Sequence, residues 1–320
     1  MDSTAVESSS RQIHAPRPRS ISMRALQTDQ HGGLRLAEVE PEPLPDDAVR
    51  IKVTAAGINP VDTYVRAGYA LEQGWAPDEP QGLGWDVAGT VTEVGPGVAD
   101  PSLRQGIRVA GLVPGAVKER GGQSTEIVAP AADVAALPDA LDDVAAASVP
   151  LNSLTADQAL ALLDDLAAPD RTLLVTGAAG GVGGYAVPLA VQRGWNVVGL
   201  ARETDREYVE SVGGRLVTSL DGVEVDAALD AGNLRARARD VVRPGGRLVE
   251  VVTGTTEPSD AVEVRSVRVQ ADGVRLAQLL AATADGSLPA RVRETYPLAE
   301  FDRAYDAFGQ GGRGRVVLLP

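Results

Sequence analysis

Apolar runs and helix-like stretches alternate along the second half of the chain. Between residues 172 and 252, short apolar runs of strand length are each followed by a stretch with helical periodicity. The predicted strands are 173–175, 196–200, 215–217, 225–229 and 247–252, and the predicted helices are 182–193, 205–212 and 234–242. This alternation is typical of βαβ units, so we expect an α/β fold with a parallel, doubly wound sheet.

The pattern from residue 23 to about 129 is different, because short strands are separated by dense glycine and proline. It predicts a small barrel-like β domain. Its predicted strands are 23–28, 34–39, 49–56, 87–94, 107–110 and 124–128. Helices at 139–147 and 155–166 connect it to the parallel sheet, and the chain ends with predicted elements at 262–270 (strand), 274–284 and 297–308 (helices) and 315–319 (strand).

A glycine-rich turn follows the first strand of the predicted parallel sheet. It departs from the GxGxxG pattern because Ala178 occupies the first glycine position. An ordinary loop is the alternative, but the strand before it and the helix after it favour a dinucleotide site on helix-terminal amides. The predicted cofactor-binding residues of this turn are Gly177, Ala178, Ala179, Gly180, Gly181, Val182 and Gly183.

The composition excludes several kinds of site and partner. Thirty basic and 44 acidic residues give a net charge of −14, which disfavours nucleic acid and anionic membranes as partners. No cysteine is present and the only histidines are His14 and His31, which excludes disulfides, thiolate zinc sites and histidine-rich metal sites. No apolar run approaches the roughly 20 residues of a membrane span. Residues 1–22 lack an apolar signal core, so we expect a disordered extension on a cytoplasmic protein.

Four segments carry a family resemblance: GINPVDTYVRAGY at 57–69, GWDVAGTVTEVGPGV at 84–98, VTGAAGGVGGYAV at 175–187 and RPGGRLVEV at 243–251. Together they resemble the medium-chain dehydrogenase/reductase family, in the zinc-independent quinone oxidoreductase branch that includes zeta-crystallin. The resemblance runs over almost the whole chain after residue 22. It implies a GroES-like catalytic domain at 23–145 and 273–320, and a Rossmann NADP(H)-binding domain at 146–272.

The resemblance also implies chemistry without a metal. Zinc alcohol dehydrogenases have a cysteine where this chain has Asn59 and a histidine where it has Trp85, and their cysteine-rich zinc lobe is missing here. Without a metal to polarise an alkoxide, alcohol oxidation is disfavoured. Hydrogen bonds must therefore stabilise the charge that hydride transfer creates.

Asn59, Tyr64 and Tyr69 are the predicted donors of those hydrogen bonds. Hydride delivery to the β-carbon of a conjugated carbonyl puts negative charge on its oxygen, which preorganised donors must stabilise. The resemblance places these three residues at the active cleft, and Tyr69 matches a tyrosine near the substrate in related enoyl reductases. The alternatives are a turn cap for Asn59 and packing for Tyr64. Asp62 and Asp86 are expected to be structural, Asp62 as a helix cap.

The end of the second strand of the parallel sheet indicates which nicotinamide cofactor is bound. Rossmann domains that prefer NAD place an acid there to bind the ribose 2′-hydroxyl, and this chain has Ala201 and Arg202 instead. Arg202 can pair with a 2′-phosphate, provided that the side chain of Glu203 points away. We therefore expect NADPH rather than NADH.

The remaining predicted cofactor contacts lie after other elements. The resemblance implies a nicotinamide contact for Thr155, which is otherwise a helix N-cap, and backbone contacts from the turn Val252, Thr253 and Gly254. Asp230 is expected to be a local cap. Arg313 and Arg315 are expected at the surface, with an approach to the cofactor as the alternative.

These residues favour an NADPH-dependent reductase of a small quinone or α,β-unsaturated carbonyl compound. One alternative is an enoyl-thioester reductase acting on a CoA or carrier-protein substrate, which needs a basic patch at the cleft mouth; the acidic sequence gives no sign of one. The other is a nucleotide-binding protein without turnover, with a structural or regulatory role. A homodimer through the strand at 262–270 is expected by analogy with family dimers.

Overall fold

The computed structural model describes residues 23–29, 33–72, 79–114, 119–257 and 259–320. Its strands are β1 Met23–Thr28, β2 Leu34–Val39, β3 Ala48–Gly57, β4 Asp86–Val94, β5 Arg108–Leu112, β6 Glu126–Pro130, β7 Val134–Ala136, β8 Thr172–Thr176, β9 Asn196–Leu200, β10 Arg215–Val217, β11 Val225–Asp230, β12 Val242–Glu250, β13 Glu263–Ser266, β14 Val292–Pro297 and β15 Arg315–Leu319. Its α-helices are α1 Pro60–Arg66, α2 Tyr69–Glu72, α3 Asp143–Ala146, α4 Pro150–Ala161, α5 Gly181–Gln192, α6 Arg206–Ser211, α7 Ala236–Arg239, α8 Gly273–Ala284 and α9 Phe301–Gly309. The predicted extension at 1–22, which includes His14, and His31 lie outside the described residues.

A seven-stranded sheet forms the β-rich part of the fold. Its order is β14–β15–β3–β4–β5–β7, and β6 pairs with β3. Alternate residues of β3, namely Val49, Ile51 and Val53, are buried in one core, which explains why this long strand sits at the centre. The C-terminal strand β15 returns to this sheet and pairs antiparallel with β3. Strands from 48–136 and from 292–319 therefore form one sheet, while β1 and β2 pair in a separate two-stranded sheet.

A six-stranded parallel sheet forms the second part, in the order β10–β9–β8–β11–β12–β13. The strands are apolar because helices cover the sheet, and Leu173, Val175 and Leu229 are fully buried. Chain order reverses between β8 and β11, and ligands of such sheets bind at the carboxyl ends of strands at this point. The predicted α/β class with a parallel, doubly wound sheet is confirmed.

The segment between β11 and β12 differs from the prediction of a helix at 234–242. Only the single turn α7 is helical, and β12 already begins at Val242. The Asp230 carboxylate accepts the backbone N–H groups of Leu234 and Arg235, as expected of a local cap. Arg235 has a φ of 59°, which interrupts the helical run. Tertiary pairing of β12 with β11 thus replaces the last part of the predicted helix.

Other boundaries shift for similar reasons. β12 starts at Val242, before the predicted 247. It includes Gly245, whose φ of 82° is a conformation that favours glycine. The predicted strand at 262–270 is shortened to β13, because the chain then leaves the sheet and runs along the cavity described below. Two short strands, β7 and β14, were not predicted. The domain boundaries after 145 and 272 remain a proposal.

The helices that join the two sheets are also displaced from their predicted positions. The predicted helix at 139–147 is reduced to α3, with Asp142 capping it by accepting the N–H of Ala145 at 2.7 Å. The helix predicted at 155–166 begins earlier, at Pro150, a residue suited to a first helical position. Among the described residues, no helix is long and apolar enough to cross a membrane.

Candidate active site

A cavity of about 780 Å³ lies where the glycine-rich turn faces the helices that follow β3. Tyr64 of α1 and Tyr69 of α2 form part of one wall. Gly180, Gly181 and Val182, at the start of α5, form part of another. Its volume is typical of cofactor and small-molecule sites, so it is the candidate active site.

The glycine-rich turn lets the backbone of β8 approach α5 closely. Gly177 has a φ of 60°, a conformation that favours glycine, and its carbonyl accepts the Gly180 N–H at 2.8 Å. A Cβ on Gly183 would lie 2.1 Å from the Gly177 carbonyl oxygen, so only glycine fits there. The predicted cofactor residues therefore divide between the cavity wall (Gly180, Gly181, Val182) and the turn behind it (Gly177, Ala178, Ala179, Gly183).

Tyr64 and Tyr69 stand exposed in the cavity wall, as the sequence predicts. Their exposed fractions are 51% and 45%, which is unusual for large aromatic side chains. Their ring centres are 6.2 Å apart and the planes are tilted by 52°. The two rings thus form one side of the cavity, where their hydroxyl groups can serve as donors.

Asn59 lies behind this wall and is not among the described residues that line the cavity. It is fully buried, its Nδ2 donates to Asp86 at 2.9 Å, and its backbone N–H donates to Asp62 at 2.8 Å. The Asp62 carboxylate also accepts the Gly84 N–H at 2.8 Å, in keeping with the predicted cap. Asn59 is thus held by Asp62 and Asp86 outside the described lining, and its predicted hydrogen bond to the substrate stays a prediction.

Arg315 is buried, whereas the sequence predicts a surface position. Only 8% of it is exposed, and its Nη1 donates to the Ile58 carbonyl at 3.1 Å. Burial lowers the pKa of this guanidinium, while the nearby charge of Asp86 acts in the opposite direction. Its Nε and Nη2 atoms make no hydrogen bond within the described part of the chain.

Tyr185 is a cavity residue that the sequence reasoning missed. It lies on α5 beside Arg315, and burial raises the pKa of its phenol group. The signal available was its position, since an aromatic residue one turn beyond the glycine-rich turn faces the same space as that turn. Ser148 also lines the cavity near this group.

The predicted nicotinamide contacts lie on the far side of the cavity. Thr155 lines the cavity and is buried, but it lies in the second turn of α4 and is not its N-cap, because the helix begins at Pro150. Val252 and Thr253 line the cavity too. Gly254 follows with a φ of 71°, which turns the chain back from the site.

Glu250 holds this turn in place from beneath. Its buried carboxylate accepts the Gly254 N–H at 2.5 Å, the Thr255 hydroxyl at 3.1 Å and the Ser266 hydroxyl at 2.7 Å. Burial on its own would raise the pKa of Glu250, but these hydrogen bonds together lower it. Glu250 is therefore a carboxylate at neutral pH, and it fixes the backbone beside the cavity.

Ala201 and Arg202 directly follow β9, as predicted, and lie outside the described lining of the cavity. Arg202 is exposed. The neighbouring Glu203 forms a bidentate ion pair with Arg206, with the shorter contact at 2.6 Å, so its side chain is turned to that partner. The prediction for Arg202 requires the side chain of Glu203 to point away from it, and the pairing of Glu203 with Arg206 meets this requirement.

The second acid of this loop, Asp205, is engaged as well. It is buried, it accepts the Arg202 backbone N–H at 3.3 Å, and it forms an ion pair with Arg313. Arg313 also donates to the Thr204 hydroxyl at 2.9 Å. The segment before β15 is therefore tied to the loop after β9, a contact that the expected surface position of Arg313 did not include.

The charged residues among the described lining of the cavity are all arginines. Arg293 forms an ion pair with Glu294 at 3.2 Å, while the other three have no ion pair to any described residue. In a chain with a net charge of −14, this is a local reversal of sign that attracts anions. It is the basic patch of which the composition gave no sign. Its members are Arg268, Arg291, Arg293 and Arg315.

The residues at this site do not fit a zinc ion. The chain has no cysteine, and in the described ranges no three His, Cys, Asp or Glu side chains come together as ligands. Asp86 accepts a hydrogen bond from Asn59 and lies near the buried cation Arg315, while Trp85 lines the cavity. No step of the chemistry is therefore assigned to a metal.

Comparison with known proteins agrees with this architecture. Two family models match, the alcohol dehydrogenase GroES-like domain at residues 45–139 and the zinc-binding dehydrogenase at 197–318. The NADPH-dependent alkenal/one oxidoreductase of Arabidopsis thaliana chloroplasts is 30% identical, over 99% of this chain and 85% of its own length. The chain belongs to the medium-chain dehydrogenase/reductase family. Within it, the similarity lies with the quinone oxidoreductase branch, as the sequence motifs indicated.

Further similar proteins extend the comparison. The quinone oxidoreductase of Coxiella burnetii has the same fold, with a TM-score of 0.82 at 24% identity over 93% of this chain and 99% of its own. The spectinabilin polyketide synthase system protein NorB of Streptomyces orinoci is 34% identical over 69% of this chain. This chain spans only 10% of NorB, and 8% and 5% of two further polyketide synthases that it matches.

Proposed function

We propose that this protein is a metal-free reductase that uses NADPH to deliver hydride to a quinone or to the β-carbon of an α,β-unsaturated carbonyl compound. One observation carries the proposal: the glycine-rich turn and the exposed pair Tyr64 and Tyr69 line the same cavity. A dinucleotide held by the turn would thus share a chamber with hydroxyl donors. Relatives named for alkenal/one and quinone reduction support this substrate class.

The side chains in the cavity supply the electrostatic part of the reaction. NADPH, when bound, supplies the hydride. Tyr64 and Tyr69 donate hydrogen bonds to the acceptor oxygen as its negative charge develops. The described part of the wall contains arginines and no carboxylate, and it favours that charge further because opposite charges attract.

The choice of NADPH over NADH rests on Arg202. Its guanidinium is exposed beside the end of β9, where a ribose phosphate is expected in this fold. Glu203 and Asp205, the acids that would repel a 2′-phosphate, are held by Arg206 and Arg313. The positive charge at this point is therefore available for the phosphate.

The test is NADPH oxidation by purified protein with three acceptors: a small quinone, a short alkenal and a crotonyl thioester. We expect the quinone or the alkenal to accelerate oxidation well above the rate without an acceptor. NADPH binding without acceleration by any acceptor would contradict the enzymatic proposal and favour a nucleotide-binding protein without turnover. Activity that survives exhaustive chelation supports the metal-free chemistry.

A second candidate, an enoyl-thioester reductase, has one observation in its favour. The arginines of the cavity wall suit the phosphates of CoA or of a carrier-protein arm, and several relatives are polyketide synthases. A crotonyl thioester reduced with a kcat/KM at least tenfold above that of the alkenal would favour this reading.

Assembly and location complete the proposal. β13 is the edge strand of the parallel sheet, so it is free to pair with the same strand of a second copy in a homodimer. Light scattering on the purified protein tests this, since a monomer at micromolar concentration would contradict it. We place the protein in the cytoplasm, and cell fractionation tests that placement.

A further inference from the structure

Arg291 brings a guanidinium to the glycine-rich turn from the opposite half of the fold. It lies between α8 and β14, and its Nη1 donates to the Ala179 carbonyl at 2.7 Å. Its guanidinium carbon is 4.2 Å from the centre of the Tyr208 ring, a cation–π distance. The Tyr208 hydroxyl in turn donates to the Gly184 carbonyl at 2.8 Å. The cation is thus held from two sides beside the first turn of α5.

The guanidinium lacks the carboxylate partner that many other arginines have among the residues that the structure describes. Arg193, Arg206 and Arg247, for example, each pair with two carboxylates. Arg291 forms no ion pair with any residue that the structure describes, and it lines a cavity whose described wall contains no carboxylate. A guanidinium has five N–H donors, more than Ala179 and Tyr208 engage, so donors and an unbalanced charge remain for an anion in the cavity.

The position of the cation matches one part of a dinucleotide. A Cβ on Gly184 would lie 3.2 Å from the Arg291 Nη1, so the guanidinium covers the N-terminal turn of α5. The backbone N–H groups of Gly181 and Val182 belong to this turn and have no partner within the helix. Helix-terminal amides and a guanidinium on the same side together form a site for a diphosphate.

We propose that Arg291 is a ligand of the diphosphate of the dinucleotide cofactor, and that it links the C-terminal segment to cofactor binding. This inference rests on the proposed function, because it assumes that the glycine-rich turn holds NADPH. One face of the guanidinium stacks on Tyr208 and one N–H binds Ala179, which leaves the remaining N–H groups for phosphate oxygens. The amides orient the diphosphate, and Arg291 neutralises part of its charge.

The test compares ligands that differ by the diphosphate. Wild type, Arg291→Gln, Arg291→Lys and the control Arg303→Gln are titrated by calorimetry with NADPH, 2′-phospho-ADP-ribose and adenosine 2′-monophosphate. Arg303 is exposed on α9 and is not among the described lining residues. We expect Arg291→Gln to weaken the two diphosphate ligands tenfold or more and adenosine 2′-monophosphate less than twofold. Arg291→Lys should fall between, because it keeps the charge but loses the planar fork.

The outcomes separate the two proposals. Wild-type protein that binds neither NADPH nor 2′-phospho-ADP-ribose would overturn both. Wild-type binding that Arg291→Gln leaves unchanged would overturn only the inference on Arg291. Equal weakening of all three ligands would also overturn it, since that result assigns Arg291 to shaping the turn. If Arg291→Gln does not fold, as judged by its thermal unfolding, the comparison of Arg291→Lys with wild type decides by the same criteria.

Discussion

The side-chain nitrogen of Asn59 lies 2.9 Å from a carboxylate oxygen of Asp86, and both residues are completely buried. Asp86 also accepts the Leu151 N–H at 2.6 Å, so the pair connects β4, α1 and α4 behind the cavity. This relationship makes the amide of Asn59 a neutral donor to a buried anion. The cavity wall depends on it, because Tyr64 stands on the helix that Asn59 begins.

Replacing Asn59 by aspartate should destabilise the protein in a way that pH reveals. Asn59→Asp puts a second carboxylate against Asp86, and we expect a loss of about 3–5 kcal/mol in the free energy of unfolding at pH 7. The loss should shrink towards pH 5, because the two carboxylates can then share one proton. Urea unfolding at both pH values measures this. Asn233→Asp, on the exposed turn before α7, is the control; a loss equal to the control's would contradict the role of the buried pair.

Removing the hydroxyl groups in the cavity should slow turnover without weakening cofactor binding. For the tyrosine that donates to the acceptor oxygen, Tyr→Phe should lower kcat roughly 100-fold, as expected for one lost donor. The variants are Tyr64→Phe and Tyr69→Phe, with Tyr296→Phe, outside the described cavity lining, as control. Steady-state kinetics and NADPH titration measure the two effects separately. Full activity in both variants, and in the double variant, would rule out donation by either hydroxyl.

Arg202→Ala should change cofactor preference. We expect NADPH binding to weaken by about 1.5–3 kcal/mol, the contribution of one charge-assisted hydrogen bond, while NADH binding changes little. Fluorescence titration with both cofactors measures the difference, and Arg237→Ala, an exposed arginine on α7, serves as control. Equal weakening of the two cofactors would contradict a role in 2′-phosphate recognition.

Replacing Gly183 by alanine should distort the glycine-rich turn. The added Cβ would meet the Gly177 carbonyl oxygen at 2.1 Å, so either the turn or α5 must move. We expect a loss of at least tenfold in NADPH affinity together with a lower melting temperature. Gly309→Ala is a matched control, because a Cβ at this helical glycine meets nothing within 4 Å. Unchanged binding and stability in Gly183→Ala would show that the close approach is not needed.

Glu250→Gln should alter the acid sensitivity of the fold. The pKa of Glu250 is lowered in the folded protein, so its carboxylate stabilises the fold fully above pH 4.5, its ordinary value, and this contribution is lost as the pH falls through the folded pKa. We expect Glu250→Gln to lose about 1–3 kcal/mol at pH 7 and to converge with wild type in acid. Unfolding from pH 7 to 3 tests this, with Glu257→Gln as control; a constant difference at every pH would contradict it.

The sequence predicted what local pattern and motif determine. Apolar strands such as β8 and β9 were found because a buried parallel strand is a continuous apolar run. The turn from Gly177 to Gly183 was found because only glycine allows that backbone path. The position of Tyr64 and Tyr69 at the cavity was predicted from the family resemblance rather than from periodicity.

What the sequence did not predict depends on contacts between distant segments. Asn59 and Asp86 are 27 residues apart, so the sequence around neither residue predicts the hydrogen bond between them. Arg315 begins a predicted strand, but its burial comes from the pairing of β15 between β14 and β3, which the local pattern does not contain. Arg291 meets Ala179 over 112 residues. The basic wall of the cavity is hidden for the same reason, because its arginines are scattered through an acidic chain.

The opposite signs of the whole chain and of its cavity set how a charged ligand approaches. A net charge of −14 repels an anion such as NADPH at long range, whereas the arginine-containing wall attracts it at short range. At physiological ionic strength the repulsion is screened beyond about 8 Å, while contacts inside the cavity are screened far less. Dissolved salt therefore weakens the long-range repulsion between the protein and an anion more than it weakens the attraction inside the cavity. The ionic strength of the solution thus affects how readily an anion reaches the cavity more than how tightly it binds there.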